Sequence, residues 1–404
     1  MRRRTGPLAR REFRLYFAGN LSSNIGNWLA NVALSIYVHD LTGSSFWVGL
    51  TNAALFVPTI LFVLPAGALA DRGNRVRILR LSQVMACACA GTLTILVAAG
   101  VANRYAVVGL AAALGVTVAF SIPAMQAMIP SLVPHGELTD AIGLNALTFN
   151  IARALGPVLA AAAITWVGAT FAFGLNTLSF VPLVVALTII RHAPFPRASE
   201  GPPGPMLEGL RYAWSNVRIR TMLLGMIFVS ISLDPITTVA PALSNSYGLS
   251  SGAAGWIVSA WGAGAVAGIT LGRRFVNRVT RNGIGWIGLV LQAAGLVALG
   301  AAPAMLGAIP AALVIGFGYI TAAIAFVTTI QSEVPERLRG RVMALWTLSF
   351  LGPRVISAVL DGALADSAGP HIATALFAIP ALGAAWFVRR SMPPMNIEPV
   401  APAA

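Results

Sequence analysis

Apolar runs of roughly 20 residues follow one another along almost the whole chain and constrain its fold more than any other feature. A helix needs about 20 apolar residues to cross roughly 30 Å of hydrocarbon. Of the 404 residues, 57% are hydrophobic and only 10% are charged, whereas soluble domains carry about 25% charged residues. These values argue against an ordinary soluble enzyme, a secreted disulfide scaffold and a disordered chain. They predict a protein that crosses a membrane many times.

Twelve such runs predict an all-α membrane protein with twelve transmembrane helices. Their predicted limits are 14–38, 46–70, 77–100, 105–132, 140–166, 169–190, 221–246, 252–275, 283–302, 305–332, 341–365 and 370–388. Glycine and proline recur inside these runs, which membrane helices tolerate because neighbouring helices satisfy the freed backbone groups. The first run is interpreted as an uncleaved membrane helix, since no small-residue cleavage site stands out after it.

The basic residues sort by side of the predicted membrane. All 27 are arginine, and nearly all fall in loops on one side, whereas Arg104 falls on the other side. This is the positive-inside pattern, and it places both termini in the cytoplasm. The net charge of +14 is therefore an effect of topology, and no nucleic-acid partner is predicted.

An internal repeat divides the chain. A shift of 201 residues aligns identical residues in equivalent loops and helices, among them Gly67 with Gly268, Arg72 with Arg273, Pro134 with Pro335, and Arg153 with Arg354. The repeat predicts two pseudo-symmetric six-helix halves, 1–190 and 221–390. Secondary transporters are often built from such repeats, with the substrate site between the halves near the bilayer midplane.

The segments outside these halves are polar or rich in proline. A cytoplasmic linker is predicted over 191–220, and it ends in an amphipathic stretch with apolar residues at helical spacing. A disordered tail is predicted over 391–404, which contains several prolines.

The loop Gly67–Arg75 resembles the signature of the major facilitator superfamily, and the resemblance covers about residues 10–390. Three segments narrow it to the drug-exporter subgroup that contains enterobactin and macrolide exporters: Asn20–Trp28, Ala141–Pro157 and Leu338–Met343. The resemblance implies the major facilitator fold, alternating access and proton-coupled efflux of a small amphipathic compound across a bacterial cytoplasmic membrane. The arginine that many proton-coupled members carry within the fourth helix is missing here, where only Arg104 stands at the outer mouth.

The signature loop also implies a cytoplasmic gate. The resemblance assigns gating roles to four of its residues, Gly67, Asp71, Arg72 and Arg75. In the superfamily, the aspartate meets the N-terminus of a helix in the opposite half, where a carboxylate interacts with the positive end of the helix dipole. The alternative is a solvated loop that only sets topology.

Four charges fall well inside predicted spans, away from their ends, where a charge is costly and usually faces a partner or a wet cavity. Asp234 lies about 13 residues into the seventh span and is the candidate for the group that is protonated during transport, or for the counter-charge of a cationic substrate. The alternative is a structural carboxylate paired with Arg153 or Arg354. Those two arginines, equivalent under the repeat, could hold an anionic substrate, pair with Asp234 or Asp361, or bind carbonyl groups between the halves.

Amides form a second set of candidates. Four asparagines at i, i+4, i+7 and i+11 place a polar stripe on the first helix, and three weaker candidates follow on the fourth and fifth helices: Asn20, Asn24, Asn27 and Asn31, then Gln126, Asn145 and Asn150. Such a stripe must face protein or water, so it predicts either contact with substrate in a cavity or hydrogen bonds between helices.

No motif for catalysis, phosphate binding or metal binding occurs in the sequence. We therefore expect no enzyme activity, no cofactor and no metal, with the proton gradient as the source of energy. The predicted partners are a small-molecule substrate, protons and membrane lipids, and the predicted state is a monomer. Two alternatives stay open: export of an anionic siderophore-like or lipid-like molecule through Arg153 and Arg354, and a non-transporting membrane receptor on the same scaffold.

Overall fold

A computed structural model gives the architecture. It describes the backbone of residues 6–190, 206–276 and 281–391. Within these ranges it also describes the side chains, except at positions 63–64, 71–72, 135, 206–207, 272–276, 281–284 and 336–337. The predicted disordered tail beyond Ser391 and the first part of the predicted linker, 191–205, lie outside the described residues.

The described chain is built from α-helices, with three short 3-10 turns at Pro7–Ala9, His135–Glu137 and Ser251–Ala253. The helices before the linker are α1 (Arg11–Thr42), α2 (Ser45–Arg72), α3 (Arg75–Ala98), α4 (Arg104–Leu132), α5 (Leu138–Trp166), α6 (Ala169–Ser179) and α7 (Val181–Ile189). Those that follow are α8 (Met206–Ser215), α9 (Val217–Ile231), α10 (Pro235–Thr238), α11 (Ala240–Ser246), α12 (Ala254–Val276), α13 (Arg281–Ala301), α14 (Met305–Glu333), α15 (Glu336–Ala368), α16 (Pro370–Leu376) and α17 (Ala378–Ser391).

Three predicted spans are interrupted helices. The sixth is α6 and α7, the seventh is α9, α10 and α11, and the twelfth is α16 and α17. A proline stands just inside the helix that follows each interruption, as Pro182, Pro235, Pro241 and Pro380. Because proline has no amide hydrogen and disfavours helical geometry in the residue before it, the helix breaks one turn earlier.

Ten stretches of the described residues are long and apolar enough to cross a membrane. They account for ten of the twelve predicted spans. The other two predictions fall on α1, which carries charges at both ends, and on α13, which is apolar over the shorter segment Gly285–Ala301. The count of twelve transmembrane helices stays a prediction.

The contacts divide the helices into two compact units. The first contains α1 to α7 together with Thr237–Ser259 and Ala358–Ser367. In it, α1 packs along α5, and α4 packs along both α2 and α3. Among the described residues, the second contains α8, α9 and the chain up to Ile236, then Ala260–Ser357 and 368–391, with α13 packed along α14 and α17. The predicted six-helix halves stay a prediction.

Candidate functional site

The break between α9 and α10 places a carboxylate inside the protein. Asp234 is the last residue of the turn after α9 and directly precedes Pro235. Its side chain is 1% exposed. Breaks in membrane helices are typical of sites where transporters bind substrates or ions, because they leave polar groups free within the bilayer. Sequence reasoning identified Asp234 as a buried charge, and the structure shows why the chain bends there.

Asp234 is paired with a cation of the same unit. The Nε of Arg354, on α15, donates to its Oδ1 over 2.9 Å, and the hydroxyl of Ser357 donates to its Oδ2. Arg354 is 14% exposed on its side chain. Of the pairings that the sequence left open for Asp234, the structure forms the one with Arg354. Ser357 was missed by sequence reasoning, although it lies three residues after Arg354, about one helical turn along the same face.

An aromatic row leads to the same arginine. The guanidinium carbon of Arg354 lies 5.8 Å from the ring centre of Phe350. Phe350 stacks on Tyr319 at 6.5 Å, and Tyr319 lies 5.8 Å from Trp261. A cation over an aromatic face is stabilised by the quadrupole of the ring. The unit therefore contains a row of packed aromatic rings that ends at a charged pair. Trp261 and Tyr319 are buried, and Phe350, next to the arginine, is half-buried.

The repeat-equivalent arginine also lies beside an aromatic ring. Arg153 on α5 is buried, lies 6.0 Å from the ring centre of Phe149 and donates to Oδ1 of Asn150 over 3.0 Å. The position that corresponds to Asp234 under the repeat is Ala33, which is buried in the first unit. The two arginines thus share an aromatic neighbour one turn earlier, whereas the carboxylate occurs in only one copy of the repeat.

Asp361 is a second fully buried carboxylate. It lies on α15 seven residues after Arg354, which is about two helical turns or roughly 10 Å along the axis. The contact division assigns it to the first unit, with Ala358–Ser367. A role for Asp361 in coupling or substrate binding stays a prediction.

The asparagine stripe of α1 separates into two parts. In its N-terminal part, the amide of Asn20 donates to Oδ1 of Asn145 on α5 over 2.9 Å, and the amide of Asn24 donates to the hydroxyl of Thr148 over 3.2 Å. The hydroxyl of Tyr16 also reaches Oδ1 of Asn145, at 3.4 Å. Asn20, Asn24 and Asn145 therefore take part in hydrogen bonds that link α1 to α5. This is the second of the two interpretations of the stripe, in which its amides form hydrogen bonds between helices.

The remaining amides are placed differently. Asn27 and Gln126 are exposed on the surface of their unit, and Asn31 is half-buried. Asn150 donates to the carbonyl of Ala146 and accepts from Arg153. Contact between Asn27, Asn31 or Gln126 and a substrate stays a prediction.

The predicted gating loop is partly described. The side chains of Asp71 and Arg72 lie outside the described residues. Arg75 donates to the carbonyl groups of Ala70 and Ala127, each over 3.1 Å. Gly67 has open space where a side chain would stand. Arg75 thus fixes the start of α3 to the ends of α2 and α4, whereas the gating role of the loop stays a prediction.

A contact between a carboxylate and a helix N-terminus lies at the end of α2 that is away from the gating loop, and sequence reasoning missed it. Asp366, near the end of α15, accepts from the backbone amides of Ser45 and Phe46 over 2.7 and 3.1 Å, and from the hydroxyl of Ser44. These groups are the N-terminus of α2, where free amides and the helix dipole favour an anion. The sequence indicates that a helix starts near Ser45, but it does not indicate that Asp366, more than 300 residues later, contacts this helix start.

Two further hydrogen bonds join segments at this end of the first unit. The amide of Asn245, at the end of α11, lies 3.0 Å from Nε2 of His39 on α1. The amide of Asn52 on α2 donates to the hydroxyl of Thr238 on α10 over 3.2 Å. We call these two bonds and the Asp366 contact the outer contact set, because the arginine distribution predicts that this end faces outward.

Glycines bring α2 and α15 into direct backbone contact beside this set. A Cβ at Gly49 would lie 2.1 Å from the carbonyl oxygen of Ala358, and a Cβ at Gly362 would lie 2.2 Å from that of Ser45. Both distances are far inside van der Waals contact. Small residues at such positions allow membrane helices to approach closely. Any larger residue must separate the two helices.

Removing the charge of Asp366 is expected to destabilise the protein modestly. Asp366→Asn keeps a side chain that can accept a hydrogen bond, but it removes the anion from the N-terminus of α2. We expect the free energy of unfolding to fall by about 1 kcal/mol, read as a lower midpoint of thermal unfolding in detergent. Asp40→Asn, at an exposed carboxylate of α1, is the matched control and should leave the midpoint unchanged. Equal midpoints for both variants would argue against this contact.

Comparison with known proteins decides the family. The family model described as transmembrane secretion effector matches residues 4–404. The chain belongs to this family of the major facilitator superfamily. Its relatives include the enterobactin exporter EntS of Escherichia coli O1:K1, which is 25% identical over 370 residues, 87% of this chain and 85% of that protein. EntS of Citrobacter koseri is 26% identical over 372 residues, with the same coverage.

Solved structures confirm the fold. A bacterial homologue of the human lysosomal transporter Spinster has a TM-score of 0.72 at 16% identity and matches 94% of each chain. The nucleoside transporter NupG has a TM-score of 0.74 at 12% identity, over 94% of this chain and 98% of that one. The chain is thus an all-α, multi-pass membrane transporter with the major facilitator fold, and its family is one of transporters and not of enzymes.

Proposed function

We propose that the chain is a proton-coupled exporter that works by alternating access, and that Asp234 is the group protonated in each cycle. The observation that carries this proposal is the buried pair of Asp234 and Arg354 at a helix break. A carboxylate in this position is the one charge of the pair that can bind a proton, since arginine keeps its proton throughout the physiological range.

Protonation changes the electrostatics of the whole cluster. When Asp234 is charged, it balances the guanidinium of Arg354 and accepts from Ser357. When it is neutral, the guanidinium of Arg354 loses this counter-charge and is less stable in its present position, because a charge within the bilayer is costly. A conformation in which Arg354 reaches water or an anionic group then becomes favourable. The proton thereby shifts the balance between two states of the carrier.

The outer contact set supports a carrier that opens and closes. Its members are hydrogen bonds and one aspartate at a helix N-terminus, which can break and reform at modest cost. The family resemblance implies the same kind of contact, an aspartate at a helix N-terminus, for Asp71 in the signature loop at the predicted cytoplasmic end. In the proposed cycle, the outer contacts hold while the cytoplasmic end is open, and the contacts of the loop hold in the opposite state.

The substrate that we propose is a small amphipathic compound. Phe350, the half-buried ring at the end of the aromatic row, supplies stacking surface, and the charged pair beside it supplies a polar end. A second candidate is an anionic siderophore-like molecule, because the related EntS proteins are named enterobactin exporters. The buried Arg153 and the half-buried Arg354 also favour an anion. We propose a bacterial cytoplasmic membrane as the location, with both termini inside, and a monomer in contact with membrane lipids.

Transport in proteoliposomes tests this function. The purified full chain is reconstituted, a pH gradient is imposed across the membrane, and the movement of cationic, neutral and anionic aromatic compounds is measured. We expect gradient-dependent movement of at least one class. Preference for anions would favour the siderophore-like substrate. Movement of no compound under any gradient would contradict the proposal and favour the non-transporting receptor.

A further inference from the structure

A cavity of about 250 Å³ lies at the start of α9 in the second unit. It is lined by α8, by the first three turns of α9 and by the middle of α15, and it is partly open to the surroundings of the protein. Apart from Arg220 and Ser349 its lining is apolar, and Ala213, Leu223, Leu224, Ile227, Leu345 and Leu348 form most of it. None of these residues belongs to the pair of Asp234 and Arg354.

The mouth of this cavity carries a cation. Arg220 donates from Nη1 to the carbonyl of Trp214 over 3.1 Å, and its guanidinium carbon lies 5.7 Å from the centre of the Trp214 ring. Within the described part of the chain, no carboxylate lies within ion-pair distance of Arg220. Its neighbours differ, since Arg218 pairs with Glu333 at 2.8 Å and Arg341 pairs with Glu208.

Helix α8 covers the cavity with an apolar edge. Leu210 and Trp214, one turn apart, line the cavity and are still 44% and 61% exposed. The hydroxyl of Tyr212 donates to the carbonyl of Glu333 over 3.4 Å, which anchors the helix to the end of α14. A short amphipathic helix with an aromatic residue and nearby arginines is typical of a segment that lies in the membrane interface.

We propose that this cavity holds one acyl chain of an anionic phospholipid from the cytoplasmic leaflet, with the lipid phosphate on the guanidinium of Arg220. Charge complementarity supports this occupant, because the arginine distribution places Arg220 on the cytoplasmic side, where anionic lipids attract basic residues. The size supports it as well. Pockets for drug-sized compounds span about 300–1,000 Å³, so the cavity suits part of a lipid chain better than a whole transported compound.

Native mass spectrometry of the purified full chain tests the proposal. The protein is stripped of lipid in detergent and titrated with phosphatidylglycerol or with phosphatidylcholine. We expect phosphatidylglycerol to bind more tightly than phosphatidylcholine by at least about fivefold, the equivalent of one arginine near an anionic surface. Arg220→Gln should abolish this preference, and Arg220→Lys should keep part of it.

Two further variants separate the cavity from general electrostatics. Leu224→Trp fills the cavity and should weaken the binding of both lipids. Arg14→Gln removes an exposed arginine from the same predicted side of the membrane and should change nothing. The proposal is overturned if Arg14→Gln and Arg220→Gln have equal effects, if Leu224→Trp binds phosphatidylglycerol normally, or if the wild type binds both lipids equally. Displacement of phosphatidylglycerol by an exported compound would also overturn it.

Discussion

Asp234→Asn is expected to abolish the accumulation of substrate that is driven by a pH gradient. Movement of substrate down its own concentration gradient should remain. Asparagine has nearly the same shape as aspartate and can still accept from Ser357, but it cannot bind a proton. The variant should therefore move between its two states without coupling to protons. In proteoliposomes, we expect accumulation to fall to the level of protein-free vesicles.

The stability of the same cluster must be measured beside its transport. Asp234→Asn leaves Arg354 as a buried charge without its carboxylate, and breaking a buried ion pair from one side costs about 3–5 kcal/mol. We expect a clear loss of thermal stability. The double variant Asp234→Asn with Arg354→Gln removes both charges of the pair, so it should recover much of that stability. It should still show no coupling.

Asp140→Asn is the matched control for this experiment. Asp140 is an exposed carboxylate in the first turn of α5, and its loss should affect neither coupling nor stability. Full accumulation by a well-folded Asp234→Asn variant would exclude Asp234 as the coupling group. It would leave the pair with Arg354 as a purely structural element.

Gly362→Leu is expected to reduce transport by at least about tenfold, which corresponds to about 1.4 kcal/mol of bias against the contact between α2 and α15. The new side chain would meet the carbonyl of Ser45, because even a Cβ would come within 2.2 Å of it. Backbone carbonyls at the start of a helix cannot move far, so the two helices must separate. The outer contact set should then form less often.

Accessibility of a single cysteine checks this mechanism. Cys87 and Cys89 are replaced by serine, and Asn27→Cys is introduced on α1. If the outer end stays open in Gly362→Leu, an impermeant maleimide added from outside should label this cysteine faster than it does in the parent. Gly383→Leu is the matched control, since Gly383 is exposed on α17 with open space at its Cβ position. Unchanged labelling and transport in Gly362→Leu would contradict the predicted role of the α2 and α15 contact.

Patterns within short stretches predicted much of this molecule. Apolar length predicted the spans, and ten of the twelve match stretches of the described residues. The helical spacing of Leu207, Leu210, Trp214 and Val217 predicted an amphipathic stretch over 206–217, and the structure places a helix at Met206–Ser215. The cost of burying charge singled out four residues, and two of them, Asp234 and Arg354, form an ion pair in the structure. In each case the physical signal is local or involves very few candidates.

Features that join distant segments were not predictable in the same way. The contact of Asp366 with the start of α2 spans 321 residues, and neither partner is unusual in its own surroundings. The division of the asparagine stripe depends on which of its members meet α5, which spacing along one helix cannot decide. The cavity beside Arg220 is formed by residues of three helices, so no single stretch of sequence predicts it. Tertiary packing decides these features, and a single sequence without its partners in space carries little information about them.

Proton movement driven by substrate is the most direct test of the central claim. Proteoliposomes loaded with an exported compound and a pH-sensitive dye are diluted into buffer of the same pH, so that the compound leaves through the protein. The account predicts that the lumen acidifies as the compound leaves. It predicts no such change with Asp234→Asn, although the compound still leaves. Efflux by the wild type without a change in lumenal pH, or equal acidification by the variant, would contradict proton coupling through Asp234.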